Sequence, residues 1–130
     1  MSLPDPDLAF LASTGIDYEV VAEGGMTCVL LRGWPLPAGY NHAAADLLMR
    51  LHPGYPDVAP DMWWFSPFVH RADSTDLPNT NVHEQYLGRQ WQRWSRHLTP
   101  EQWRSGIDGL ENYVALLRHE LERSVPATVR

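Results

Sequence analysis

Three prolines, Pro53, Pro56 and Pro60, crowd into a short stretch between an apolar run, 44–51, and an aromatic one, Met62-Trp63-Trp64-Phe65. Each proline fixes φ and removes a backbone donor, so neither a helix nor a sheet ladder passes through them. The chain must therefore consist of one element that ends near Leu51 and another that begins near Met62, joined by a kinked link. Ala44-Ala45-Asp46-Leu47-Leu48-Met49-Arg50-Leu51 is expected as a strand, although its residues would also suit a helix. Met62–Phe65 is expected as a short strand, since aromatic side chains favour a pleated surface.

The flanks supply further elements. Asp7 to Ser13 offers Leu8, Phe10 and Leu11 for a turn or two of helix, ended by Gly15. Residues 17–23 and 26–32 read as two strands, and the Gly24-Gly25 pair between them marks a hairpin. Gly33 to Asn41 is a proline- and glycine-rich loop. From Ser66 to about Tyr86 the chain is polar and broken by Pro67, Pro78, Asn79 and Asn81. A loop of that length in so small a domain is usually functional or mobile. The last helix has Thr99 as N-cap, Pro100 in its first position and Gln102 closing a capping box. Trp103, Ile107, Leu110, Val114, Leu117 and Leu121 then form one apolar face, and Pro126 stands just past the end.

A chain of 130 residues with 44% hydrophobic side chains suits one domain with its own core, at 7–125, between short tails at 1–6 and 126–130. The net charge of −6, with no clustered basic stripe, disfavours nucleic acid as a partner. A single cysteine, Cys28, excludes an internal disulfide and any multi-cysteine zinc site. The start is acidic and proline-broken, unlike a signal peptide, and no apolar run is long enough to span a bilayer. A cytoplasmic location without membrane contact is expected. All ten basic residues are arginine. A GC-rich genome would give that bias, and so would a protein that handles activated acyl groups and must not modify its own amines.

The segment Arg50-Leu51-His52-Pro53-Gly54-Tyr55-Pro56-Asp57-Val58-Ala59-Pro60 resembles the one by which ubiquitin-conjugating (UBC) enzymes pass from their third strand to their fourth. That family has Leu-Pro-x-x-Tyr-Pro followed by a Pro-Pro pair; here one residue is displaced and Ala59 replaces the first proline of the pair. The element order matches as well, over about residues 7–70 and 99–124. The resemblance implies an α+β, UBC-like fold: an N-terminal helix, a four-stranded antiparallel meander and a C-terminal helix packed on one face. The chain looks in particular like the divergent bacterial members encoded beside a ThiF-type activating enzyme, a JAB-type peptidase and a ubiquitin-like protein. It thereby implies a ubiquitin-like protein and a ThiF-type activating enzyme as partners, with no cofactor.

The departure lies after the fourth strand. The family carries His-Pro-Asn there and its catalytic cysteine in the loop beyond. His70 falls at the family's histidine, but Arg71-Ala72 follow it, and Thr80 occupies the region of the cysteine. A thiolate forms readily and its acyl ester stays reactive toward amines, which a hydroxyl does not match unaided. Cys28 lies mid-strand among apolar residues, where a lone cysteine is usually core filler. Three readings follow. In one, Thr80 or another loop hydroxyl carries the acyl group as an oxyester, with His83 as base and Asn79 or Asn81 as oxyanion donor. In another, the domain binds its partners without catalysis. The third is a small His-dependent hydrolase or metal-dependent enzyme using His70 and His83; Asp73, Asp76, Glu84 and His97 are also of ligand type, but their spacing matches no zinc motif.

Gln90 to His97 is expected as a short amphipathic helix, with Trp91 and Trp94 on one face and Arg89, Arg93 and Arg96 on another. Its indoles pack on the core, or Trp91, Arg93, Trp94 and Arg96 contact a partner or an anionic C-terminal carboxylate. Trp94-Ser95 resembles a Trp-Ser pair of the UBC family. Trp63 and Trp64, adjacent in a strand, must face opposite ways, so one is expected to be exposed or under the long loop.

Overall fold

In the computed structural model, which describes residues 3–125, the run 44–51 is a strand and the proline link leads from it into an antiparallel neighbour. Helix α1 (Asp5–Ser13) is followed by β1 (Tyr18–Glu23), β2 (Met26–Pro35), β3 (Ala44–Leu51), β4 (Trp63–Ser66), β5 (Val82–Tyr86) and β6 (Arg89–Trp94). A single 3₁₀ turn (Pro100–Gln102) and helix α2 (Leu110–Arg123) complete the chain. All strands pair antiparallel in the order β1-β2-β3-β4-β6-β5. Gly24 and Gly25 turn the first hairpin with φ of 62° and 78°, a pair of left-handed residues that glycine adopts without steric cost.

At the N-terminus the helix begins within the stretch expected as a tail. Leu3 is buried and α1 starts at Asp5, with Pro6 in its first turn, where a missing N–H costs nothing. The expected tail at 126–130, and Pro126 as the helix stop, lie outside the described residues.

The sheet has six strands where four were expected. The polar stretch ends at Asn81, and Val82–Tyr86 and Arg89–Trp94 form a hairpin turned by Leu87 and Gly88, both at positive φ. The expected helix over Gln90–His97 is thus a strand as far as Trp94 and irregular beyond it. Its period of two sends Trp91 to one face of the sheet and Trp94 to the other, whereas a helix would have aligned them.

The sheet is buried on both faces. On the front, Val29, Leu31, Leu47, Met49, Leu51, Trp63, Phe65 and Trp94 meet Leu110, Tyr113, Val114, Leu117 and Leu121 of α2. On the back, Cys28, Leu30, Leu48, Trp64 and Trp91 form a smaller cluster. The tip of the β5–β6 hairpin covers it. Tyr86 meets Trp64 edge-on and lies under the Arg50 guanidinium, 3.8 Å from its ring centroid. Leu87 N–H reaches across the sheet to the Glu23 carboxylate at the end of β1. Arg89 pairs with Asp46 of β3 at 2.9 Å. Trp63 and Trp64 are therefore both buried, one on each face, and Trp34 lies in the front core.

The C-terminal helix is also shorter than its periodicity predicted. Thr99 N–H donates to Gln102 Oε1 at 2.8 Å, but the turn ends there and Trp103 is extended. Trp103 is drawn aside to donate from Nε1 to the Pro56 carbonyl at 2.9 Å, and Gly106 reverses the chain at φ 80°. Ile107, expected on the apolar face, is 69% exposed. Helix α2 starts at Leu110 with a cap from a distant element: Leu110 N–H donates to Asp7 Oδ1 of α1 at 3.0 Å. Gly109 makes room, since a Cβ there would lie 2.7 Å from that oxygen. Tyr55 of the proline link donates its hydroxyl to Asp7 Oδ2 at 2.6 Å. One buried carboxylate therefore ties α1, α2 and the link together.

Candidate functional site

Residues 67–81, between β4 and β5, form the loop in which the reactive groups were expected, and one side chain of β6 holds both of its ends. Gln92 is fully buried, on the same face as Trp94. Its Oε1 accepts from Val69 N–H at 2.7 Å and from Trp94 Nε1 at 3.2 Å. Its Nε2 donates to the carbonyls of Val69 at 3.0 Å and Thr80 at 2.9 Å. An amide has two donor hydrogens and an accepting oxygen, and all are engaged.

Two further residues brace the middle of the loop. Asn41 donates its backbone N–H to the His70 carbonyl and accepts the His70 N–H on Oδ1, both at 2.9 Å. Arg71 donates from Nε to the Ser124 carbonyl at 2.7 Å, at the end of α2, and from its terminal nitrogen to the Asp76 carbonyl. Nothing local in the sequence marks Gln92, Asn41 or Arg71 for these tasks, because each acts on a segment distant in the chain.

The braced loop walls a cleft of about 830 Å³. His70, Asn79, Thr80, Asn81 and His83 all line it. Their states differ. Thr80 is 4% exposed and its hydroxyl donates to the Leu77 carbonyl at 2.7 Å, closing a turn at the neck of the loop. Among the described residues no hydrogen bond links it to His83, whose exposed ring stacks on Phe68 with centroids 4.1 Å apart. Asn79 is exposed at φ 59°, a left-handed turn position that asparagine tolerates well. The exposed hydroxyls of the cleft belong to Ser74 and Thr75, and Thr75 donates to Asp73 Oδ1 at 2.6 Å. Bonds from the Thr75 hydroxyl and N–H hold the Asp73 carboxyl below its ordinary range.

The single thiol is elsewhere. Cys28 is fully buried in the back cluster and does not line the cleft. Among the described residues no group of three His, Cys, Asp or Glu side chains is arranged to hold a metal ion. No helix of the described residues is long and apolar enough to cross a membrane.

The residues expected to contact a partner are spread apart. Trp91 and Trp94 are fully buried, so neither indole offers a surface. Arg93 pairs with Glu84 at 3.4 Å. Arg96 lies over the Trp94 ring and binds Glu120 at 2.8 Å and the Pro78 carbonyl at 2.9 Å, joining α2 to the loop. Burial raises the Glu120 carboxyl, but bonds from Arg123, Arg96 and Ser124 outweigh it and hold the group below its ordinary value. Tyr40, under the loop, donates to the Leu121 carbonyl at 2.5 Å, and burial pushes its hydroxyl up to about 12.

The family model described as prokaryotic E2 family E matches residues 3–124, and the chain belongs to that family. No curated protein and no solved structure matches it.

Proposed function

We propose that this member of prokaryotic E2 family E serves a bacterial ubiquitin-like conjugation pathway as a partner-binding subunit, engaging a ubiquitin-like protein and a ThiF-type activating enzyme without forming a thioester. One observation carries this reading. The cleft that follows the fourth strand contains no sulfur, and Thr80, the hydroxyl nearest the family's cysteine position, is buried and already donates to Leu77. A nucleophilic oxygen needs both access and a base within hydrogen-bond reach, and among the described residues Thr80 has neither.

A second reading rests on Ser74 and Thr75. Both hydroxyls are exposed in the same cleft as His70 and His83, as an oxyester carrier requires. In that chemistry the hydroxyl oxygen attacks the activated terminal carbonyl of the ubiquitin-like protein, its proton passes to a histidine, and the nucleotide leaves.

The test is incubation with a cognate activating enzyme, ATP and the ubiquitin-like protein. The partner-binding reading predicts a complex with no covalent adduct. An adduct that survives thiol reductant and falls to hydroxylamine, lost in Ser74→Ala or Thr75→Ala, would establish the second reading instead. A reductant-sensitive adduct lost in Cys28→Ala would refute both.

A further inference from the structure

A second cleft, of about 430 Å³, lies between α2 and the segment that follows β6. Two of the side chains lining it, Trp63 and Tyr113, are 3% and 1% exposed. The indole Nε1 of Trp63 and the hydroxyl of Tyr113 find no hydrogen-bond partner among the described residues. Buried donors are almost always paired, because an unmet one forfeits its bond to water and receives nothing in return. Packing holds both rings in place. Trp63 stacks on Trp94 with centroids 5.9 Å apart, and Tyr113 meets Trp63 edge-on at 6.3 Å.

The remaining walls are charged. Arg96 and Arg123 flank Glu120, which accepts from both, and His97 and His119 stand beside them. Arg123 spends only Nε on Glu120, so its terminal nitrogens have no partner among the described residues. The charges of Arg96, Arg123 and Glu120 leave one positive charge over, in a chain of net charge −6. Asp61 is the other acid nearby; its Oδ1 contacts His97 Nδ1 at 2.6 Å, and its charge is balanced when that imidazole is protonated. Burial, and then the Asp61 charge, push the Tyr113 hydroxyl up, so it remains a donor throughout the neutral range.

We propose that this cleft binds a carboxylate, whose oxygens accept from Trp63 Nε1 and Tyr113 Oη while Arg96 and Arg123 balance its charge. Each element of the site selects for that group. Two unmet donors call for acceptors. With His97 protonated against Asp61, the one positive charge left over matches a monoanion. Arginine beside the cleft suits a planar, two-oxygen acceptor. The carboxylate has two possible sources, a small organic acid or the free C-terminus of a peptide. A shallower depression of about 390 Å³ shares Arg96, Glu120 and Arg123 with this cleft, and shares Arg71, Pro78 and Asn79 with the loop cleft, so a peptide terminus would have a path along which its chain could leave.

Acetate, succinate and a short glycine-rich peptide, the last with either a free or an amidated C-terminus, are titrated by calorimetry and thermal unfolding. At least one free acid is expected to bind and raise the Tm, and the amidated peptide to do neither. Preference for the free-acid peptide over succinate identifies a chain terminus, and the reverse identifies a small acid. Tyr113→Phe is expected to weaken binding by about tenfold, as loss of one hydrogen bond implies. In the absence of ligand the same variant should unfold at an equal or higher temperature, because it removes a hydroxyl with no partner. Arg123→Gln should weaken binding and flatten its salt dependence. The proposal is overturned if no free acid binds at millimolar concentration, if Tyr113→Phe binds as tightly as the parent, or if that variant lowers the Tm of the unliganded protein.

Discussion

Replacing Gln92 with leucine deletes the amide that pins the loop at 67–81 while keeping a side chain of similar volume. Four groups lose their partner: Val69 N–H, Val69 C=O, Thr80 C=O and Trp94 Nε1. A neutral hydrogen bond contributes about 1 kcal/mol net, and a buried group left unpaired costs about 1–3 kcal/mol. Four such losses come to at least about 4 kcal/mol, from which burial of the leucine side chain recovers about 1–2 kcal/mol. A net loss of about 3 kcal/mol is expected. This is a large part of a small domain's stability, but not enough to unfold one of ordinary stability. In urea the midpoint should fall by about 1–2 M with an unchanged slope. Amide exchange should show faster opening at Val69, with the β2–β3 amides quickened only as far as global stability falls. Gln92→Glu separates hydrogen bonding from shape. The new carboxylate would still accept from Val69 N–H and Trp94 Nε1, but it would face two carbonyl oxygens. Its folded pKa should therefore rise above the unfolded value of about 4.3. That group's contribution is then full below the unfolded pKa and is lost as pH climbs, so the variant should regain stability in acid. A loss under about 0.5 kcal/mol in Gln92→Leu, with Val69 still protected, would refute the claim that this amide holds the loop.

Asp7→Ala removes the cap of α2 and the acceptor of the Tyr55 hydroxyl, and should cost about 2–4 kcal/mol in urea unfolding. Asp7→Asn should cost less, since its one amide oxygen can replace only one of these bonds. Alkaline pH should destabilise the domain through Tyr40, Tyr55 and Tyr113, whose hydroxyls are all pushed up, chiefly by burial. Their contribution is intact below the unfolded pKa of about 10; above it the unfolded chain ionises first, and stability falls by up to about 1.4 kcal/mol per pH unit for each tyrosine. Near-ultraviolet absorbance should register these tyrosinates together with unfolding, and ionisation of all three well before unfolding would contradict the assignment. The Cys28 thiol should resist a disulfide reagent in the native protein and react fully in denaturant; rapid native labelling would place it outside the back cluster.

The legible parts of the fold are those whose signal is local. Prolines at 53, 56 and 60 forced two separate elements, and β3 occupies the predicted residues. The Gly24-Gly25 hairpin and the Leu110, Val114, Leu117 and Leu121 face of α2 were equally plain, because turn chemistry and helical period are written into neighbouring residues. The helix is nonetheless shorter than its capping residues and apolar period predict. Thr99, Pro100 and Gln102 are good starting residues, and they do start one turn, but Trp103 gains more from the Pro56 carbonyl and the Tyr55 ring than from continuing the helix. The true cap, Asp7, comes from the other end of the chain and carries no local mark.

The candidate site was hidden for a related reason. The β6 strand reads Arg-Gln-Trp-Gln-Arg-Trp, and the buried polar residue Gln92 erases the alternation by which a strand is recognised. Two indoles three apart predict a helix that buries both on one face; the structure buries them on opposite faces because the β5–β6 hairpin supplies a second core. Part of what looked like a long reactive loop is therefore scaffold, and the remainder, 67–81, is held open by that scaffold. Gln92 explains why the polar residue belongs there. A leucine would have made β6 easier to recognise, but it would have left Val69 and Thr80 without the bonds that shape the cleft. The residue that most obscured the strand is the one on which the geometry of the site depends.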